Sequence, residues 1–201
     1  MNVFTNQIDT YFDMNVVKTS DAKYNWTIDE LAKLPIKWYG GADLSKLHDL
    51  TGVCIYGRYK GVDICISHAF IPRSTAYQKS DEDNIPVFWW EEEGWLTCCN
   101  SNVIEYEDVI QWFIKVRDRG FRIRWIGYDR RYSREFILKM KKAGFKIRDQ
   151  KQLYVEKTEA LEIEKSLIFK NFITFIILRM SIGVGNVKAT EDSDDFVRFK
   201  K

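Results

Sequence analysis

Residues 105–148 read EYEDVIQWFIKVRDRGFRIRWIGYDRRYSREFILKMKKAGFKIR, and the hydrophobic period alternates along them between helix and strand. Val109, Trp112, Phe113 and Val116 recur at i, i+3, i+4 and i+7, which predicts an amphipathic helix starting near Glu105 and stopped by Gly120. Phe121 to Tyr128 reads as a strand carrying Ile123, Trp125 and Ile126, and it ends on Asp129. Ser133 can cap a second helix that buries Phe136, Ile137 and Met140 and stops at Gly144, before a short strand from Phe145 to Arg148. Strands joined by helical crossovers lie parallel in their sheet.

Upstream the connections are shorter. Ile36 to Ala42, Gly52 to Tyr59 and Val62 to Phe70 read as strands, with Val62, Ile64 and Ile66 alternating onto one face. Lys60-Gly61 fits a tight hairpin turn, so these neighbours are antiparallel. Ile71 to Ile85 reads as a polar loop, and VFWWEEEGWLTCC suggests a strand pair around Gly94. The first 35 residues are polar and aperiodic apart from a helix-like stretch, Thr27 to Leu34, that ends before Pro35; they read as a linker or arm. Thr158 to Lys165 reads as helix, and the final EDSDDFVRFKK is polar. The predicted class is α/β: a mixed sheet of antiparallel hairpin strands plus parallel strands, flanked by helices. That is the strand logic of the ribonuclease H-like fold.

A chain of 201 residues with 45% hydrophobic and 30% charged residues suits one soluble domain with a substantial core, with or without flanking pieces. The opening MNVFTNQIDTYFD lacks the basic start and apolar run of a signal peptide. Cys54, Cys65, Cys98 and Cys99 form no CxxC pair and only two histidines occur, which argues against a structural zinc site and for reduced thiols in a cytosolic setting. Charge is segregated. Lys115 to Arg148 holds 13 Lys or Arg against three acids, whereas Asp81 to Asp108 holds nine acids and no Lys or Arg. This pattern reads either as a footprint for a polyanion beside an acidic element or as two solvated faces of opposite sign.

Two acids stand out by position. In the predicted topology the first strand and the strand after the first long helix are parallel neighbours, ending on Asp43 and Asp129. Open α/β sheets place their sites at such carboxyl ends. Two converging carboxylates repel unless a divalent cation binds between them, and a pair of such cations can activate water and stabilise a leaving oxygen in phosphodiester hydrolysis. Asp49 could add a ligand directly or through water. A lone Asp after a strand is more often a turn former or helix cap; two at matching ends weaken that reading. His48 and His68 read as surface or packing residues, and the Trp and Phe residues as core.

At these residues the chain resembles a known family. GGADLSKLHDLTG, WWEEEGWLT, RWIGYDRRYSREFILKMKKAGF and GNVKATEDSDDFVRFKK, in this order over about residues 38 to 201, look like the nuclease domain of tailed-phage terminase large subunits. The resemblance implies a metal-dependent endonuclease that cuts double-stranded concatemeric viral DNA in the host cytoplasm. Asp43 and Asp129 would be metal-binding catalytic acids for two Mg2+ or Mn2+ ions, and Asp49 an accessory acid. Arg130, Arg131 and Arg134 flank the second acid and could hold phosphates without reading sequence, or be ordinary surface arginines. A portal and a small terminase subunit are the expected partners, with no membrane.

The same resemblance divides the chain into an arm, residues 1–35, from an ATPase domain lying upstream, and a nuclease domain, residues 36–201, cut short of the family's third metal-binding Asp. No G-x-x-x-x-G-K-[ST] motif occurs. A non-catalytic DNA-binding piece and another ribonuclease H-like nuclease, a resolvase or transposase, are the alternatives. The apolar run SLIFKNFITFIILRMSIGV, Ser166 to Val184, departs from the family, and two readings fit it: compensating frameshifts that end before Gly185, or a divergent buried helix or strand.

Overall fold

Trp38–Asp43 forms β1, an interior strand of the main sheet, and its residues alternate between a buried and a more open face. The computed structural model describes residues 22–44, 50–83, 86–129 and 134–150, positions 15 and 19, and the backbone of 173–176, 188–191 and 197–200. β1 pairs antiparallel with β2 (Thr51–Tyr59), which pairs antiparallel with β3 (Val62–Pro72). Lys60 (φ 49°) and Gly61 (φ 85°) make the turn between them, as a two-residue hairpin with two left-handed positions requires. On its other side β1 pairs parallel with β5 (Ile123–Asp129), and β5 parallel with β6 (Ile147–Gln150). With β4 (Leu96–Cys99) at the far edge, the order β4-β3-β2-β1-β5-β6 is the expected mixed, ribonuclease H-like sheet.

The helices sit where the periodicity placed them. α4 (Tyr106–Asp118) follows Glu105, whose N–H donates to the Asp108 carboxylate at 3.3 Å, and carries acids in its first turn and Lys115 and Arg117 in its last. Gly120 (φ 117°) turns the chain out of it. α5 (Arg134–Lys142) buries Phe136 and Met140. Both helices contribute to the core cluster on one sheet face, where Val109 and Phe113 join Trp38, Ile55, Ile64 and Ile126. Gly40 is part of this fit. A Cβ there would lie 2.6 Å from Ile126 Cγ1 and 3.0 Å from Phe113 Cε1. Gly40→Ala should therefore cost about 1–3 kcal/mol by overpacking, read as a lower urea midpoint at unchanged slope.

Two expectations fail between β3 and β5. Ile71 to Ile85 is not a loop: Arg73–Asp83 is a helix, α2. It buries Ala76 in a second small cluster with Ile71, Val87, Leu96 and Cys98, so it carries no apolar stripe to betray it. The Trp-rich stretch is not a strand pair but a helix, α3 (Val87–Glu92), followed by β4 (Leu96–Cys99), which joins β3 in parallel. Gly94 (φ 80°) makes the turn between them. Trp89 and Trp95 meet edge to face, with centroids 5.2 Å apart.

Before Pro35, the short helix α1 (Ile28–Ala32) is capped by Thr27, whose backbone N–H donates to Glu30 Oε2 at 2.8 Å while Thr27 Oγ1 accepts from Glu30 N. Leu31 is fully buried, Trp26 packs edge-on against Tyr59, and Asp29 pairs with Arg119 at 2.9 Å. Residues in this stretch thus pack against the core. Within the apolar run, Ile173–Ile176 forms β7, parallel to β3 opposite Asp63 to Ile66. The rest of that run and the expected helix from Thr158 to Lys165 lie outside the described residues. Near the end of the chain Lys188–Glu191 (β8) and Val197–Lys200 (β9) form an antiparallel pair.

Candidate active site

The register between β1 and β5 decides what can happen at their carboxyl ends. Trp38 stands opposite Ile123 but Gly40 opposite Ile126, so β5 carries one extra residue in a bulge. Without it, Asp43 would face Tyr128. With it, Ala42 faces Tyr128, and the next residues, Asp43 and Asp129, reach the end of the two strands together. Adjacent strands run about 4.8 Å apart, which puts two carboxylate-bearing positions within reach of a shared cation. The Asp43 side chain is exposed, and it has no ion-pair or hydrogen-bond partner among the described residues. The desolvation cost of a strand-end acid in a core does not arise here.

Asp43 also faces Gly52 of β2, and Gly41 lies two residues before it on the same side of β1. A Cβ on Gly52 would meet no atom of a described residue within 4 Å. Arg134, the first residue of α5, is exposed and has no ion pair among the described residues. Asp49, Arg130 and Arg131 lie outside the described residues, as do His48 and the expected cap Ser133, and the Asp129 side chain is likewise not described. Among the described residues no group of three or more His, Cys, Asp or Glu gathers as a metal site, here or elsewhere.

Charge is only partly segregated in space. Asp81 to Asp83 end α2 and Glu91 and Glu92 end α3 at the β4 edge of the sheet, and the basic stretch supplies the end of α4, then β5, α5 and β6 at the other, but Glu107 and Asp108 open α4, where Glu107 lies 3.9 Å from Lys139 of α5. The described cysteines are free. Burial pushes the Cys98 thiol up to about 11 and Cys99 to about 12, so neither is a nucleophile at neutral pH.

One buried carboxylate escaped the sequence reading. Asp63 is 1% exposed. It accepts a hydrogen bond from the Tyr56 hydroxyl and has Arg58 Nε at 3.7 Å. Burial and the Asp63 contact hold the Tyr56 phenol well above the ordinary tyrosine range. The signal was its place between Val62 and Ile64, where alternation turns it away from the helices.

His68 is a packing residue. Its Nε2 lies 2.8 Å from Thr97 Oγ1 and its ring stacks on Trp112. Burial pushes its pKa down to about 4; Lys115 adds to this, and a backbone hydrogen bond to Gly94 opposes it. The unfolded chain protonates this group near 6.5 and the folded chain only near 4, so its contribution to stability is full above pH 6.5 and is lost as pH falls from there to 4. At most about 3 kcal/mol is at stake. Unfolding midpoints at pH 7 and pH 4.5 should differ less for His68→Phe than for the native chain.

Residues 9–201 match the family model "Terminase large subunit, endonuclease domain". The terminase large subunit of Enterobacteria phage HK97 is 32% identical over 77 residues, 38% of this chain and 15% of that protein. Among solved structures, the HK97 bacteriophage large terminase superposes with a TM-score of 0.81 at 20% identity, over 96% of this chain and 39% of that one. The large terminase nuclease of thermophilic phage G20c gives a TM-score of 0.54 at 9% identity, over 83% and 73%. The chain spans well under half the length of the HK97 protein.

Proposed function

Because this chain belongs to the family of terminase large subunit endonuclease domains, we propose that it is a metal-dependent endonuclease hydrolysing phosphodiesters of double-stranded, concatemeric viral DNA during packaging in the host cytoplasm. The observation that carries this reading is the bulge-set register that brings Asp43 and Asp129 to the shared end of β1 and β5. Asp43 and Asp129 would hold the divalent cations, with Asp49 as an accessory ligand. Asp43 is exposed and makes no hydrogen bond or ion pair with a described residue, which leaves its carboxylate available to a cation among those residues. A solved nuclease of the same fold, from phage G20c, has bound magnesium. Mg2+ or Mn2+ in pairs would supply the activated water and the charge on the leaving oxygen.

The chain's own groups position the substrate. Asp43 would supply one of the cation's ligands, and Gly52, opposite it on β2, brings no side chain beside it. Arg134, with Arg130 and Arg131, neutralises flanking phosphates and so favours DNA of any sequence. In this reading residues 1–35 lead from an ATPase domain into the nuclease domain, residues 36–201, with Leu31 of that arm anchored in the nuclease core, and portal and small subunit are the partners. Cleavage of supercoiled plasmid should appear with Mn2+ or Mg2+ and vanish with excess EDTA, returning on addition of metal. Cleavage that persists in EDTA would overturn the metal-dependent reading.

A further inference from the structure

We propose that Tyr56, Tyr39, Trp125 and Arg148 form a platform for unpaired bases of single-stranded DNA, on the sheet face that also carries Asp43. Tyr56 of β2 stands opposite Tyr39 of β1. The Tyr39 ring meets Trp125 of β5 with centroids 5.3 Å apart and planes at 61°. Arg148 of β6 lies over the Trp125 ring at 5.1 Å. These strands are consecutive in the sheet, so the row crosses β2-β1-β5-β6 over about 14 Å.

The row faces away from the helical core. Tyr56 is 38% exposed, Arg148 is exposed, and Tyr39 and Trp125 are half-buried. The alternate residues of the same strands, Trp38, Ile55 and Ile126, fill the core beneath α4 and α5. Two features hold the platform in place: the Tyr56 hydroxyl is anchored on buried Asp63, and Arg148 packs on Trp125. Arg124 and Lys146, beside the row, are exposed and have no acidic partner among the described residues. Aromatic rings with flanking unpaired cations complement a strand that offers both base faces and phosphates. Four-stranded sheets with outward aromatics bind unpaired bases in this way in other folds. A duplex hides its base faces, so the row selects single strands. Tyr39 and Asp43 lie four residues apart on one face of β1, about 13 Å along the strand, which leads an unpaired strand toward the acids. Base binding stands on the row alone; only its place relative to cleavage rests on the nuclease reading.

The test is fluorescence anisotropy of labelled oligo(dT) and of a labelled duplex with the full chain in metal-free buffer. Trp125→Leu with Tyr39→Leu should weaken oligo(dT) binding by about tenfold or more, since each stacked base contributes roughly 1–3 kcal/mol, and change duplex binding little. Iododeoxyuridine oligonucleotides should photo-crosslink to Tyr39, Tyr56 or Trp125 of the unaltered chain, which requires no variant to fold. Equal weakening of both DNAs, no weakening, or crosslinks confined to other residues would overturn the proposal. Loss of the platform effect with metal-dependent plasmid cleavage intact would sink this inference alone. Oligo(dT) binding at the row in a chain that cleaves nothing would sink the nuclease reading alone.

Discussion

Asp43→Asn should reduce metal-dependent DNA cleavage by at least about 100-fold, because it removes a charged ligand from the place where cations are to be held. The fold should survive. Asp43 is exposed and makes no hydrogen bond or ion pair with a described residue, so nothing in the core loses a partner. In metal-free buffer the unfolding midpoint should hold or rise, since the substitution relieves repulsion between two acids at adjacent strand ends. Added Mn2+ should raise the midpoint of the native chain and leave that of the variant unchanged, by linkage to binding. The two measurements separate chemistry from folding. Native cleavage rates in Asp43→Asn would remove Asp43 from the site.

Phe113→Ala should be the most damaging core substitution, at about 3–5 kcal/mol, against a total stability of about 5–15 kcal/mol for a domain. Phe113 is fully buried, lies against the Gly40 position, and meets Trp112 and Phe145 edge-on at 4.9 Å and 6.0 Å. It thus fastens α4 to β1 and Ile126 at the bulge that aligns the two acids. Urea unfolding followed by tryptophan fluorescence would give the loss directly. Where the variant still folds, cleavage should fall even at saturating metal, because the β1–β5 register is less firmly held. A loss below about 1 kcal/mol would mean that the aromatic contacts on this face carry little of the fold.

Local chemistry was enough for much of this molecule. Helix period and stop glycines placed α4 and α5, and the left-handed Lys60-Gly61 pair joined β2 to β3. These signals are legible because each depends on residues within a few positions of one another. They also led to Asp43 and Asp129 as acids at strand ends, and the motifs around them to the family. α2 was hidden because it buries Ala76 and little else, so its helix is decided by packing at the β3–β4 edge and not by a stripe of its own. Asp63 looked like any polar alternation until β3 was packed between β2, β4 and β7. The row of Tyr56, Tyr39 and Trp125 comes from three separate segments, and no spacing along the chain foretells that they share a face. Most telling is the single extra residue of β5. Side chains in a strand alternate every residue, so a slip of one reverses which groups face each other. The sequence fixes that two aspartates end two strands, but only the tertiary packing of Ile126 over Gly40, with Phe113 behind it, places the bulge that sets them level.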